Sequence, residues 1–161
     1  MKQKLVISAA TAAAIYIAAP IIELVEGVEY RPYKDIAGVW TICSGITGPD
    51  VIIGKTYTKS ECRRLLEKHI QIHGKYVQDA VTYPIAPETM AALISFSYNV
   101  GGSAMRKSTA VRLINQGKIE EGCKALGMWN KAMVNGKLKV IKGLANRRNE
   151  EIKLCLSGVG K

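Results

Sequence analysis

Two carboxylates and a hydroxyl near the start of the sequence have a spacing that suits acid–base chemistry. Glu26 is followed nine residues later by Asp35, and Thr41 comes six residues after that. A carboxylic acid that donates a proton, set opposite an ionised carboxylate, is the pair that cleaves a glycosidic bond. The residue types therefore predict general acid–base catalysis, although three ordinary surface residues would fit the same spacing.

The residues before Glu26 predict how its side chain is presented. Residues 21–26 can continue a helix, and Gly27 is a typical residue just beyond a helix end. The C-terminal end of a helix carries the negative pole of the helix dipole, which favours the protonated form of a carboxyl group. Glu26 is thus expected to close a helix as a proton donor.

The residues after Gly27 predict a hairpin. Pro32 disfavours helix and keeps residues 30–34 extended, and residues 39–43 are rich in side chains that favour strands. A turn over residues 36–38 would join these two segments. Asp35 and Thr41 are expected to lie on this hairpin, beside the helix that ends at Glu26.

These positions resemble a known catalytic signature. The sequence from Glu26 to Thr41 follows the pattern E-G-x-x-x-x-x-Y-K-D-x-x-G-x-x-T, which also includes Gly27, Tyr33, Lys34, Asp35 and Gly38. The pattern resembles that of the phage-type lysozymes, glycoside hydrolase family 24, and the resemblance extends from about residue 21 to 155. It implies an α+β, mainly helical fold with a small antiparallel sheet lobe and a helical lobe. A long helix would join the lobes, with the substrate cleft between them.

The resemblance also implies a role for each of the three residues. Glu26 would be the general acid, Asp35 would assist the water or the developing cation, and Thr41 would hold the water. The family often continues T-x-G-x-G-H after this threonine, whereas here Cys43 replaces the first glycine and Ile46 replaces the histidine. These departures leave the three chemical positions intact.

The implied reaction is hydrolysis of the β-1,4 bond between N-acetylmuramic acid and N-acetylglucosamine in peptidoglycan. It would proceed with inversion, need no cofactor and lyse the host cell. A lytic transglycosylase, which cleaves the same bond without water, is the alternative enzyme. Asp35 and Thr41 favour hydrolysis because they suit the handling of water. A membrane-anchored wall-binding module without catalytic activity is the non-enzyme alternative.

The composition agrees with a single globular domain. The chain has 161 residues and a net charge of +10, with 48% apolar and 22% charged residues. A strongly basic balance suits an anionic partner, such as nucleic acid, anionic lipid or the glycan strands of a carboxylate-rich wall. Because the sequence shows no nucleic-acid-binding motif, peptidoglycan is the expected partner and nucleic acid is not.

The N-terminal segment is apolar enough to insert into a membrane. Residues 5–22 carry no charge and follow Lys2 and Lys4, which predicts an export signal or an inner-membrane anchor with its amino end inside. Cleavage near Ala19 would leave little helix to position Glu26, so a retained anchor is favoured over a cleaved signal. The combination resembles the signal-anchor-release endolysins of lambdoid phages. It implies export by the host secretion machinery, a tethered state and then a periplasmic monomer.

The chain therefore divides into an N-terminal signal-anchor segment, residues 1–22, and a lysozyme domain, residues 23–161. Within that domain we expect the sheet lobe at about 23–57, the connecting helix at 58–83 and the helical lobe at 84–161.

The connecting helix has a clear start and two histidines. Thr58 and Glu61 form a capping-box pattern that opens a helix toward Val77. His69 and His73 are four residues apart on it, a spacing that can ligate a metal. Because no third ligand accompanies them, solvated polar residues are the preferred interpretation and no metal is predicted.

The C-terminal part is expected to be helical. Helices are predicted to begin at Pro87, at Ser108 or Thr109, and at Ile119, the last running to about Trp129. A turn at 135–136 then precedes a final helix that ends near residue 156.

The final helix begins with a second resemblance to the family. The pattern Gly-Leu-x-x-Arg-Arg at 143–148 resembles a family segment in which an arginine pairs with the catalytic acid. Arg147 is the favoured partner, Arg148 is an open alternative, and both could instead be solvated.

Four cysteines, an even number, could pair outside the cytoplasm. They are Cys43, Cys62, Cys123 and Cys155, and none lies in residues 1–22. The family packs the last helices against each other, which implies a Cys123–Cys155 disulfide.

Overall fold

The computed structural model describes residues 7–161 and shows a mainly helical protein with small antiparallel sheets. The elements in chain order are α1 (Ala9–Glu26), β1 (Glu29–Lys34), β2 (Trp40–Cys43), β3 (Ile46–Thr47), α2 (Lys59–Ala80), α3 (Pro87–Val100), α4 (Gly102–Lys107), α5 (Thr109–Asn115), α6 (Ile119–Ala125), β4 (Lys131–Val134), β5 (Lys137–Val140) and α7 (Lys142–Ser157). A short 3-10 helix, Leu126–Met128, follows α6. The predicted fold class is confirmed.

Helix α1 begins and ends with clear capping signals. The Ser8 side chain accepts a hydrogen bond from the backbone N–H of Thr11, and Gly27 adopts a φ of 70° just beyond Glu26. Such a positive φ favours glycine and stops the helix where the sequence predicted.

One face of α1 is part of the main hydrophobic core. Ala14, Ala18 and Ile22 are spaced four residues apart and are fully buried. Within residues 7–161, α1 is also the one helix long and apolar enough to cross a bilayer. It runs without interruption through the predicted boundary at residue 22, while Lys2, Lys4 and the rest of residues 1–6 lie outside the described residues.

The sheet lobe is a three-stranded antiparallel sheet in the order β1-β2-β3. Tyr33 pairs with Thr41, and Thr41 pairs with Thr47. The lobe has its own small core, which consists of Ile42, Cys43, Ile46, Tyr57 and Cys62. This core fixes β2 and therefore the hydroxyl-bearing Thr41.

Helix α2 connects the two lobes. The Thr58 side chain accepts a hydrogen bond from the N–H of Glu61, whose carboxylate accepts one from the N–H of Thr58, so the predicted capping box is confirmed. Leu66, Ile70 and Val77 are buried along one face of the helix. At Gly74 a Cβ atom would lie 3.3 Å from side-chain atoms of α1, so the two helices pack closely there.

Helix α3 lies at the centre of the helical lobe, with residues 89–97 buried. Pro87 is its first residue, where the missing N–H costs no hydrogen bond. Helices α1 and α7 both pack against α3, so the residues at the end of α1 and near the start of α7 meet across it.

The segment between α6 and α7 differs from the sequence prediction. The expected helix from Ile119 to about Trp129 ends at Ala125 and tightens into the 3-10 helix. The predicted turn at Asn135 and Gly136 is present, but it joins β4 and β5 in a second, two-stranded sheet that we did not predict. Its strands have only four residues each. Lys131–Val134 does not alternate between polar and apolar side chains, and Lys137–Val140 alternates over the minimum length only.

Candidate active site

Glu26 is the last residue of α1, and its side chain is 24% exposed. The N–H of Gly27 donates to the carbonyl of Glu23 at 3.0 Å, which closes the helix directly behind the carboxylate. The chain then turns into β1, so the Glu26 side chain lies where the helical lobe meets the sheet lobe. This is the position expected for a proton donor at a helix end.

Arg147 of α7 is the direct partner of Glu26. Its Nη1 donates to Glu26 Oε1 in a close ion pair, and its Nη2 donates to the carbonyl of Ser95 at 3.1 Å. Its Nε donates to Glu151 at 3.2 Å. Because all three nitrogens are engaged and the side chain is buried, the guanidinium is held in a single orientation.

Arg148, the open alternative, points to a different set of partners. Its Nη2 donates to Asn99 at 3.0 Å and to Glu151 at 3.1 Å, and burial lowers its pKa. Glu151 is fully buried and also accepts a hydrogen bond from the Ser95 hydroxyl at 2.7 Å. Both arginines are buried, so the alternative that both are solvated is wrong.

Asp35 lies in the turn between β1 and β2. Its Oδ1 accepts a hydrogen bond from the N–H of Val39 at 2.9 Å, and its own N–H donates to the carbonyl of Val39 at 3.0 Å. Gly38, which has a φ of 77°, donates its N–H to the Asp35 carbonyl. This tight turn explains the glycine three residues after the aspartate in the signature.

Thr41 is buried on β2 and, like Asp35, hydrogen-bonds to the backbone of Val39. Its Oγ1 donates to the carbonyl of Val39 at 3.0 Å. A hydroxyl whose proton is donated in this way still has its lone pairs, so it can accept a hydrogen bond from a water molecule. Asp35 and Thr41 are therefore positioned together through the backbone of Val39.

The turn between β2 and β3 lies against Glu26. A Cβ atom built on Gly45 would lie 3.2 Å from Glu26 Oε2, so the backbone approaches the carboxylate closely. The hydroxyl of Tyr98 donates to the carbonyl of Ser44, the residue before Gly45, at 2.7 Å and fixes this turn to α3. Burial, followed by the charge of Glu26, raises the pKa of Tyr98, so that hydroxyl stays a proton donor.

The pKa of Tyr33 is affected by the carboxylates near the hairpin. Burial raises the pKa of its hydroxyl, and the carboxylates of Glu26, Glu29 and Asp35 raise it further. The Tyr33 hydroxyl therefore lies in the combined field of the predicted acid and the predicted base. The structure thus joins Glu26 to Arg147 and places the β2–β3 turn of the sheet that carries Thr41 against the Glu26 carboxylate.

The two histidines of α2 have separate partners. His69 Nε2 lies 3.0 Å from Asp50, whereas His73 Nδ1 lies 2.7 Å from the hydroxyl of Ser97. Burial lowers the pKa of His73 to about 4, so our interpretation of this residue as solvated is wrong. Within residues 7–161 no group of three or more His, Cys, Asp or Glu side chains could hold a metal ion.

The cysteines form two disulfides. Cys123 in α6 pairs with Cys155 in α7, which confirms the pairing that the resemblance implied. Cys43 pairs with Cys62 and links β2 to the start of α2, a bridge that we did not predict. Cys43 has a φ of 53°, a region that glycine occupies far more readily. The backbone therefore keeps the conformation suited to the glycine that the family often has there.

Sequence reasoning missed the residues that support the site. Gly45, Ser95, Tyr98 and Glu151 hold Glu26 or its arginine, yet they belong to three separate elements and share no spacing. The nearest available signal was the R-R-x-x-E pattern from Arg147 to Glu151, because residues three and four apart meet on a helix.

The fold and the site define a class of protein. A two-lobed, mainly helical domain that places an acid at a helix end beside a carboxylate and a hydroxyl on a small sheet is a lysozyme-like glycoside hydrolase.

Comparison with known proteins narrows this class. A family model described as Phage lysozyme matches residues 23–151. A protein of Enterobacteria phage PA-2 named SAR-endolysin is 47% identical over 133 residues, which cover 83% of this chain and 78% of its own length. The chain belongs to the phage lysozyme family, and it is a glycoside hydrolase of the muramidase type.

Solved structures agree with this assignment. An endolysin from Escherichia coli O157:H7 phage FAHEc1 has a TM-score of 0.81 at 30% identity and covers 97% of this chain and 95% of its own. The muramidase domain of SpmX from Asticaccaulis excentricus has a TM-score of 0.82 at 28% identity, with 87% of this chain and 95% of its own covered.

Proposed function

We propose that this protein is an endolysin that hydrolyses the β-1,4 bond between N-acetylmuramic acid and N-acetylglucosamine in peptidoglycan. The observation that carries the proposal is the position of Glu26, which is held by Arg147 on one side and approached on the other by Gly45 in the β2–β3 turn. The same small sheet carries Asp35 and Thr41. A proton donor and a water-handling pair are the two parts that glycoside hydrolysis needs.

In this mechanism Glu26 gives its proton to the glycosidic oxygen as the bond from that oxygen to the anomeric carbon breaks. A water molecule held by Thr41 adds to the anomeric carbon, and Asp35 stabilises the developing cation and accepts the water proton. Arg147 stabilises the carboxylate that Glu26 becomes, and it also fixes the side chain toward the substrate. Attack of water on the opposite face of the sugar gives inversion, as the family resemblance implies.

Analysis of the products tests the reaction. Purified peptidoglycan treated with the protein should release muropeptides with a reducing end, seen by mass spectrometry before and after borohydride reduction. Muropeptides with a 1,6-anhydro end would show a lytic transglycosylase instead. No release at all by a folded protein would leave only the wall-binding interpretation.

The N-terminal segment supports a proposal about location. Helix α1 can cross a bilayer by length and composition, yet Ala14, Ala18 and Ile22 are buried in the core of the folded protein. The same apolar side chains cannot be in lipid and in the core at once. We therefore treat residues 1–22 as an anchor that tethers the exported protein to the inner membrane, and residues 23–161 as a domain that is completed when α1 leaves the membrane.

Charge at the amino end would control the release. The α-amino group, Lys2 and Lys4 would have to cross the membrane against an inside-negative potential, which costs about 7 kcal/mol for three charges at 100 mV. The apolar side chains of residues 5–22 contribute at most roughly 2–4 kcal/mol to insertion. Collapse of the potential should therefore release α1, and the freed enzyme would act in the periplasm as a monomer.

Exposed alanines of α1 give a clean test of the anchor. Ala12 and Ala13 point to solvent in the folded protein, so Ala12→Leu/Ala13→Leu strengthens insertion without altering the core. This variant should stay in the membrane fraction after an uncoupler is added, whereas Ala12→Ser/Ala13→Ser should leave early. Wild-type protein found soluble and shortened, with its amino end at Pro20 or Ile21, would show a cleaved signal instead. The hydrolysis assay on purified protein is independent of this result.

A further inference from the structure

The hairpin formed by β4 and β5 projects an ordered surface from the helical lobe. Val134 pairs with Lys137 across a two-residue loop, and the loop residues Asn135 and Gly136 both have a positive φ, 49° and 77°. Asn-Gly with two positive φ values is typical of a type I′ turn, which matches the twist of a hairpin. The side chains of the two strands are therefore held in a fixed register.

One face of this hairpin is apolar and exposed. Residues directly opposite each other in an antiparallel pair share a face, and Met133 pairs with Leu138 while Lys131 pairs with Val140. Met133, Leu138 and Val140 are 65%, 63% and 58% exposed. Three neighbouring aliphatic side chains on one exposed face form a patch of the kind that marks an interaction surface.

The same hairpin is strongly basic. From Trp129 to Lys142 the sequence has no acidic residue; the hairpin contains Lys131, Lys137 and Lys139, and Lys142 follows at the start of α7. Lys131 lies on the apolar face, whereas Lys137 and Lys139 lie on the opposite face of the ribbon. A hairpin that inserts its apolar face would therefore keep its flexible lysine side chains at the level of an anionic layer. A partner that fits this hairpin therefore has a negatively charged surface with an apolar layer beneath it.

We propose that the β4–β5 hairpin docks the folded enzyme onto an anionic phospholipid bilayer. The apolar side chains would enter the region just below the headgroups, and the lysines would contact the phosphates. A glycan strand fits less well, because the face formed by Met133, Leu138 and Val140 has no hydroxyl, amide or aromatic ring to bind sugars. This contact does not use α1, so it would keep the enzyme at the membrane side of the wall after α1 has joined the core.

Cosedimentation with vesicles measures how much the hairpin lysines contribute to lipid binding. Full-length folded protein should bind vesicles of phosphatidylglycerol and phosphatidylethanolamine, and only weakly vesicles of phosphatidylcholine. Lys137→Gln/Lys139→Gln should weaken binding by roughly fivefold for each lysine. The matched control Lys107→Gln/Lys118→Gln removes the same charge at exposed positions outside the hairpin and should change binding much less. Equal loss in both pairs would mean that net charge alone attracts the protein, which would overturn the proposal.

A second pair of variants tests the apolar face. Met133→Ser/Leu138→Ser should bind the anionic vesicles more weakly even at high salt, while its hydrolysis of soluble glycan fragments stays at the wild-type rate. Unchanged vesicle binding would overturn the proposal. Loss of glycan hydrolysis with unchanged vesicle binding would instead identify the hairpin as part of the substrate site.

Fluorescence adds a readout that does not depend on overall affinity. A tryptophan in Leu138→Trp should be quenched by brominated lipids beyond the wild-type background. Val159→Trp, beyond the far end of the 16-residue helix α7, should be quenched less than Leu138→Trp, because α7 spans about 24 Å. Absence of quenching at position 138 would contradict membrane docking whatever the contribution of α1.

Discussion

The guanidinium of Arg147 contacts the carboxylate of Glu26, 121 residues earlier in the chain, and also the carboxylate of Glu151, four residues later. A surface side chain could not hold these groups together, whereas a buried arginine with three engaged nitrogens can. The last helix thereby fixes the carboxylate that closes the first helix.

This contact predicts that Arg147→Lys will impair catalysis more than Arg148→Lys. A lysine keeps the charge but cannot reach Glu26, Glu151 and the Ser95 carbonyl at once. Loss of one charge-assisted hydrogen bond to Glu26 should lower kcat at least about tenfold. Arg148 contacts Glu151 and Asn99, so Arg148→Lys should lower the free energy of unfolding and leave kcat nearly unchanged. Equal losses of kcat in the two variants would contradict the assignment of Arg147.

Gly45→Ala should reduce activity because the new methyl group would press on Glu26 Oε2, from which an ideal Cβ lies 3.2 Å away. Gly48→Ala is a matched control, since Gly48 has a similar positive φ of 87° and its Cβ would have no neighbour within 4 Å. Both variants should lose about 1 kcal/mol of unfolding free energy from backbone strain. Only Gly45→Ala should also lower kcat; equal kcat values would show that the turn does not position the acid.

The Cys123–Cys155 and Cys43–Cys62 disulfides close loops with sequence separations of 32 and 19 residues. In the chain-entropy model, the Ala/Ala replacement of either pair should cost about 3–4 kcal/mol of unfolding free energy, measured with denaturant. A variant as stable as wild type would refute the role of that bridge.

The positive φ of Cys43 adds a further expectation. Cys43→Gly/Cys62→Ala should be about 1 kcal/mol more stable than Cys43→Ala/Cys62→Ala, because glycine adopts this conformation without strain. The opposite order would mean that residue 43 does not hold a positive φ in solution.

The lowered pKa of His73 predicts a loss of stability in mild acid. Its folded-state pKa of about 4 lies below the unfolded value of 6.5, so the unfolded chain binds a proton first as the pH falls. Unfolding free energy should therefore decrease from about pH 6.5 toward pH 4, by at most about 3 kcal/mol from this residue. His73→Gln should reduce the decrease, because glutamine does not bind a proton in this range. Identical pH profiles for wild type and His73→Gln would refute the burial of a neutral imidazole.

Local signals in the sequence predicted the elements that present the chemistry. Gly27 ended α1, Pro32 kept β1 extended, and Thr58 with Glu61 opened α2, because each of these depends on backbone preferences of a few residues. The positions of Glu26, Asp35 and Thr41 relative to their own elements followed from these signals.

Features that depend on distant packing could not be predicted in the same way. Arg147 and Arg148 are adjacent on one helix, and only the packing of α7 against α3 determines which of them meets Glu26. The burial of His73 likewise depends on Ser97 of another helix. The pairing of Cys43 was missed because its strand geometry, with a positive φ, is unusual for a cysteine.

The most direct test of the account is the rate at which Glu26→Gln releases reducing ends from purified peptidoglycan. An amide cannot donate the proton, so the rate should fall roughly 10²- to 10⁴-fold while denaturant unfolding shows a folded protein. Glu23→Gln, one turn earlier on α1, loses only a partly exposed ion pair with Arg63 and should stay within a few-fold of wild type. A folded Glu26→Gln variant that releases reducing ends at nearly the wild-type rate would contradict Glu26 as the catalytic acid.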